Sequence, residues 1–284
     1  MMRKKALTGV IIAIVVVIIS AILISQNDKA QLSIKVPDYY SLDKFYFTGN
    51  FDEFYKDSYE WYKSIESEEG VYLINTAYYD DEILKVWKEN KIYNYIPDKP
   101  FWYFAASPSY LDEMGISISN DDINSAENGT RLYLIPDTLS DNEVQLIENY
   151  LKEDALINAD KSNIQTTFTK SLEIKFASYS PAHNYFTFPS DKEEELTAEA
   201  PIIYVCTSEN MKNFENESLI ATGVDSYIKF ADKEVCDRLT NNSTMNKYEL
   251  KFEKLSAIYK KASRAKIVDS NVKHINFLNR NKKK

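Results

Sequence analysis

The sequence predicts one membrane-spanning helix followed by a mixed α/β domain, with α+β as the alternative arrangement of the same elements. Three observations predict it. Residues Ala6 to Ser25 form an uncharged apolar run, and from Val71 onward short apolar, β-rich runs alternate with amphipathic helical ones. A composition of 44% hydrophobic and 27% charged residues with six glycines describes a chain that buries a core, not a low-complexity or collagen-like one.

The first element is ALTGVIIAIVVVIISAILIS, 20 residues from 6 to 25. As a helix it spans roughly 30 Å, the thickness of a bilayer's hydrocarbon core. Its apolar residues cover every face, unlike those of a helix that lies on a soluble core. A cleaved signal peptide has an apolar region of about 7–15 residues and a small-x-small site. This run is longer and continues into Gln26-Asn27-Asp28-Lys29-Ala30, so it is expected to be retained as an anchor. No cysteine lies near it to serve as a lipobox. Arg3, Lys4 and Lys5 precede the run, and the excess of positive charge keeps residues 1–5 in the cytoplasm and sends the chain beyond Ser25 outside. Residues 26–37 then read as a juxtamembrane linker.

The outer part is acidic. The whole chain carries -9; without the three cations ahead of the run -12 remains, and without Arg280, Lys282, Lys283 and Lys284 as well, -16. A pI near 5.0 argues against holding a polyanion, so no nucleic-acid partner is expected. The charge is compatible with cationic neighbours or with no more than a well-solvated surface.

Its first element is a helix near 51–65, where Phe51, Phe54, Tyr55, Tyr59, Tyr62 and Ile65 recur at steps of three or four. Asn50 is its expected N-cap, and Glu66, Glu68, Glu69 and Gly70 mark its end. At this spacing the aromatic stripe reads as core, although such surfaces also stack on sugar rings or sit at a membrane interface. Val71 to Asn75 (VYLIN), Lys91 to Ile96 (KIYNYI) and Phe101 to Ala105 (FWYFA) read as strands, with a helix over Asp80 to Glu89. Arg131 to Ile135 (RLYLI) is a strand that leads into Ser140-Asp141-Asn142-Glu143, a capping box. The helix from Asp141 to about Glu153 carries Val144, Ile147, Tyr150 and Leu151 on one face.

Leu172 to Ala177 and Tyr185 to Phe188 suggest an antiparallel hairpin around Ser180-Pro181-Ala182. Residues 190–200 (SDKEEELTAEA) read as an exposed acidic connection that separates two α/β lobes, 38–189 and 201–284, the second ending in a basic tail. In the second lobe Pro201 to Cys206 is a buried strand, Ser208 to Ile220 a helix, Tyr227 to Phe230 a strand and Asp232 to Leu239 a helix. Lys247 to Ala262 reads as a longer helix with Leu250, Lys254 and Ile258 in one row, and Lys266 to Phe277 as a returning strand. Interleaved strands and helices imply a sheet with helices on its faces.

No residue pattern announces a reaction. There is no G-x-S-x-G, S-x-x-K or H-E-x-x-H, and no G-x-x-x-x-G-K or G-x-G-x-x-G that would point to ATP or NAD. His183 and His274 are far apart, with no local partner for a triad. Asp80-Asp81-Glu82 and Asn120-Asp121-Asp122 gather oxygen ligands but lack the alternation, central glycine and terminal glutamate of a calcium loop, and read as helix caps. No catalytic residue, cofactor or metal is expected. Two cysteines and two histidines are too few for a multi-site zinc protein or a cystine scaffold. Cys206 and Cys236 either join in a disulfide, which would stabilise by about 3–4 kcal/mol through closure of a loop of roughly 30 residues, or remain two buried thiols.

Residues 200–211 (APIIYVCTSENM) and 221–230 (ATGVDSYIKF), which follow RLYLIPDTLSDNEVQLIENYLKE and PAHNYFTF, resemble the outer part of the bacteriocin-associated integral membrane proteins, an immunity family of Gram-positive bacteria. The resemblance implies one N-terminal span, a large outer domain and further spans beside ABC-transporter components, and it implies no catalytic residues. The sequence departs from that pattern in having no second span before Lys284, which puts transport or channel activity in doubt, since one helix does not line a pathway. A split gene, a truncated copy and a free-standing outer domain would each fit. The expected role is an anchored interaction protein in bacteriocin immunity or export, with the lipid bilayer, an ABC-transporter subunit or a bacteriocin peptide as partners. A surface enzyme or carbohydrate-binding protein acting on cell-wall material is the alternative, motivated by the aromatic segment and the many carboxylates.

Overall fold

A computed structural model describes residues 36–47, 49–189, 195–241 and 243–261. The apolar run at 6–25, Arg3, Lys4, Lys5, His274, the expected strand at 266–277 and the basic tail lie outside the described residues. Among the described residues no helix is long and apolar enough to cross a membrane.

β1 (Tyr40–Lys44) leads into α1 (Phe51–Ile65), followed by β2 (Val71–Tyr79), α2 (Asp81–Asn90) and β3 (Phe101–Ala106). Next come α3 (Pro108–Glu113), α4 (Asn120–Glu127), β4 (Arg131–Pro136), α5 (Asp141–Leu156), α6 (Thr167–Ser171) and β5 (Ile174–Tyr179). The remainder is β6 (Tyr185–Phe186), β7 (Thr197–Ala198), β8 (Ile202–Val205), α7 (Asn213–Ser218), β9 (Ile228–Phe230), α8 (Lys233–Asn241) and β10 (Lys251–Lys254), with a further helix over 255–261.

Among the described residues eight strands make one mixed sheet in the order β10-β1-β9-β2-β3-β8-β4-β5, and β6 pairs separately with β7. The pairs β3/β8 and β4/β5 are parallel and the others antiparallel. Central strands are covered on both faces, which is why β4 (RLYLIP) and β8 (IIYV) are buried at every position and, Arg131 apart, read as apolar runs. The edge strand β10 (KFEK) instead exposes Lys251 and Lys254, charges that discourage further strand pairing.

One face of the sheet packs on α1, which is capped by Asn50 through a 2.9 Å bond from the Asp52 N–H. Phe54, Tyr59, Trp61, Tyr62 and Ile65 are buried there, each large side chain contributing about 1.5–3 kcal/mol. Phe51, at the outer end of the stripe, is 55% exposed. α5 adds Ile147, Tyr150 and Leu151 to the same core. Its first turn has the expected Ser140/Glu143 pairing: the Ser140 N–H and hydroxyl both donate to Glu143 Oε2, at 3.0 and 2.5 Å.

Several expectations are corrected. Among the described residues the two lobes are one compact unit, because β8 inserts between β3 and β4 and β9 between β1 and β2, so the strands after residue 200 are woven into the sheet begun before them. Residues 91–96 form no strand. Lys91 turns left-handed (φ 52°), the Asn94 and Tyr95 N–H groups donate to the Glu153 carboxylate, and the Tyr93 ring packs 4.9 Å from both Trp87 and Tyr150. The 172–188 hairpin does not form either: β5 lies parallel to β4 over six residue pairs, and β6 takes β7. Local alternation says that a strand exists but not which strand it pairs with.

The helix expected over 208–220 is confined to Asn213–Ser218. Asn210 ahead of it accepts the Thr207 N–H and donates to the Thr130 and Val205 carbonyls, holding a turn. The helix expected over 247–262 is instead β10 followed by helix at 255–261, after Glu249 at φ 47°. The spacing of Leu250, Lys254 and Ile258 is four, a multiple of two as well as close to a helical turn, so it cannot separate the two periods.

Candidate functional site

The parallel strands β3 and β8 end side by side at Ala106 and Val205. In open α/β sheets the crevice outside the carboxyl ends of the strands is where ligands bind. Here that crevice is a cleft of about 730 Å³ lined by the end of α1, the α1–β2 turn, the start of α3, Glu127 and Thr207. Ser107 closes β3 onto α3: its hydroxyl accepts the Leu73 N–H (3.0 Å) and the Tyr110 N–H (3.3 Å) and contacts Ser109 Oγ. Ser107→Ala is expected to cost about 1–3 kcal/mol in urea denaturation, because the buried Leu73 N–H loses its acceptor.

Six carboxylates line the cleft: Glu66, Glu68, Glu69, Asp112, Glu113 and Glu127. Its one lysine, Lys63, is tied to Glu209 at 2.5 Å, and Arg238 reaches Glu68 at 3.0 Å. Glu113 accepts the Tyr72 hydroxyl at 2.9 Å and the Tyr39 hydroxyl at 3.4 Å. Burial, aided by Glu113, pushes the Tyr72 phenol up to about 12. Burial also raises the Glu66 carboxyl above the usual carboxylate range, although Ser208 donates to it through both its N–H (2.9 Å) and its hydroxyl (2.5 Å). A cleft of this sign attracts cations and repels anions.

A second pocket, of about 310 Å³, opens at the other end of the same two strands, where Phe101, Trp102 and Ile202 begin them. Aromatic and aliphatic side chains make most of its lining, with Tyr78 lying 4.9 Å from Trp102, and Glu195 and Glu199 line it as well.

Elsewhere the core holds two buried cations. Arg131 is 1% exposed: Nη2 donates to Glu215 Oε1 at 2.5 Å, Nε to the Tyr133 hydroxyl at 2.7 Å and Nη1 to the Asn210 carbonyl at 3.2 Å. The guanidinium also sits 3.9 Å from the Tyr204 ring centroid. Lys229 in β9 is fully buried, donates to the Val224 carbonyl at 3.2 Å and to that of Ser226, and lies 5.6 Å from the Phe188 ring. Burial depresses its amine to about 7 against a weaker opposing pull from Asp225. Sequence reasoning does not single out either residue; the signal is a lone cation inside an apolar strand, RLYLI for one and YIKF for the other.

The residues singled out by sequence fall elsewhere. Cys206 and Cys236 are both buried free thiols, pushed up by burial, Cys236 to about 12, so neither is a reactive thiolate. His183 is exposed, with its ring 4.7 Å from that of Tyr185. Asp80 accepts the Ile83 N–H at 2.8 Å, and Asp122 takes the Ser119 hydroxyl at 2.6 Å and Lys175 at 2.8 Å, so each cluster works at a helix start. Among the described residues no group of three or more histidine, cysteine, aspartate or glutamate side chains is placed to hold a metal ion.

Neither a protein-family model, nor a curated protein, nor a solved structure matches this chain.

Proposed function

We propose that the chain is a bitopic membrane protein whose domain, held outside by the 6–25 helix, binds a cationic segment of a secreted peptide in the acidic cleft at the carboxyl ends of β3 and β8. The observation that carries this reading is the charge of that cleft: six carboxylates face one lysine that is already neutralised by Glu209. The overall charge of -9 supports it by drawing cations to the surface. The resemblance to the bacteriocin-associated membrane proteins supports a role in bacteriocin immunity or export, with the peptide or an ABC-transporter subunit as partner.

The test is binding of hexalysine to the full-length chain in lipid nanodiscs, with hexaglutamate as the control. Hexalysine should bind and weaken steeply with salt, because the attraction is between exposed charges. The triple variant Glu69→Gln, Asp112→Asn, Glu127→Gln should weaken it at least about tenfold. Equal binding of both peptides, or an unchanged affinity in the triple variant, would sink the reading.

A second reading, hydrolysis of a wall polymer in the same cleft, draws on Glu66, whose raised carboxyl resembles a general acid. Release of soluble fragments from peptidoglycan, abolished by Glu66→Gln, is the result that would favour it over simple binding.

A further inference from the structure

The pocket at the amino ends of β3 and β8 combines two properties that restrict its occupant. Most of its lining is apolar, including Trp102, Phe101 and Ile202 from the strand starts and Leu146 from α5. Tyr78, 45% exposed, extends this surface with its ring tilted 33° to that of Trp102 at a centroid distance of 4.9 Å. The rest of the lining is acidic, with Asp98, Glu143, Glu195 and Glu199. The single lysine there, Lys99, is bound to Glu143 at 2.7 Å, and among the described residues no ion pair joins Glu195 or Glu199. After burial itself, the next influence holding the Tyr78 phenol up is the negative charge of Glu195, then Asp81 and Asp80.

Carboxylates only accept hydrogen bonds, so an anionic ligand is repelled. A neutral apolar ligand fills the walls but leaves the carboxylates unpaired and partly desolvated, which costs free energy. An ammonium joined to an apolar body meets both demands: the aromatic and aliphatic side chains take the body, and the lining carboxylates accept its N–H groups. We infer that this pocket is a binding site for an organic ammonium with an aryl or alkyl body, separate from the acidic cleft and independent of the function proposed for it. A volume of about 310 Å³ suits a ligand no larger than a dipeptide, at the lower end of the roughly 300–1,000 Å³ common for ligand pockets.

Three probes of one shape test the inference: phenethylammonium, 2-phenylethanol and phenylacetate, titrated by ligand-observed NMR against the full-length chain in nanodiscs, with empty nanodiscs subtracted. Phenethylammonium should bind with a Kd below about 1 mM, the alcohol at least about tenfold more weakly, and the acid not detectably. Glu199→Gln should weaken the ammonium several-fold and leave the alcohol unchanged. Trp102→Ala should weaken both; Tyr78→Leu, at a ring 45% exposed, gives the same readout if the tryptophan variant does not fold. Alcohol bound as tightly as ammonium, an ammonium affinity indifferent to Glu199→Gln, or no binding at about 10 mM would overturn the site. So would loss of ammonium binding in the cleft variant Glu69→Gln, Asp112→Asn, Glu127→Gln with Tyr78→Leu silent, since the ammonium would then occupy the cleft.

Discussion

Arg131→Met is expected to destabilise the domain by about 3–5 kcal/mol, because it leaves the Glu215 carboxylate in the core without its partner. Both side chains are almost wholly buried, at 1% and 6% exposure, so no water replaces the lost guanidinium. The tyrosine hydroxyl of residue 133 and the carbonyl of Asn210 lose a donor at the same time. Adding Glu215→Gln should return more than half of the loss. The neutral amide still accepts the Lys212 N–H, which in the native protein reaches Glu215 Oε2 at 3.0 Å, and no charge remains unpaired. Urea denaturation of the native chain, both single variants and the double variant gives the coupling directly. A loss below about 1 kcal/mol, or a double variant no better than Arg131→Met, would show that the pair does not hold the core together.

Lys229→Met should flatten the pH dependence of stability between pH 7 and about 10. The folded-state amine titrates near 7, below the value of about 10.4 for a lysine in an unfolded chain. Between those two values the unfolded chain binds the proton and the folded one does not, so stability rises with pH. Below pH 7 both states carry the proton, and the full cost of charging a buried amine, at most about 4–5 kcal/mol for this shift, is felt. The methionine has no proton to gain, and its profile should lack the slope, which approaches 1.36 kcal/mol per pH unit where the difference is largest. The buried thiols of Cys206 and Cys236 act in the opposite sense above about pH 8.5, but equally in both proteins, so the difference between profiles isolates Lys229. Parallel profiles from denaturation at pH 7, 8 and 9 would refute the assignment.

The two openings differ in how far they could be read beforehand. Their acidity follows from composition, and the aromatic wealth of the chain is plain in its letters. Their positions are not. The acidic cleft takes Glu66 to Gly70 from the end of α1, Ser107 to Glu113 from the β3–α3 junction, Glu127 from α4 and Thr207 from beyond β8. These segments meet only because β3 and β8, nearly 100 residues apart, run parallel and end together. The apolar pocket depends on the same pairing at its other end, with Leu146 contributed by α5 and Tyr78 by the end of β2. Tyr39, Tyr72 and Tyr110 likewise form a cluster across β2 and α3 that no sequence spacing announces.

What the sequence determined by itself was local. The helices at Phe51–Ile65, Asp81–Asn90 and Asp141–Leu156 follow from apolar spacing and from caps at Asn50, Asp80 and Ser140, because those signals act within one or two turns of chain. The buried runs LYLI (132–135) and PIIYVC (201–206) follow from their unbroken apolarity. Tertiary structure alone decided which strand pairs with which, and with that the fusion of two expected lobes into one sheet, the loss of the 172–188 hairpin and the strand at Lys251–Lys254 in place of a helix. The physical reason is that a strand's hydrogen bonds go to another segment, whereas a helix satisfies its own, so the strand's partner is fixed by the energy of the whole sheet and is not written in its own residues.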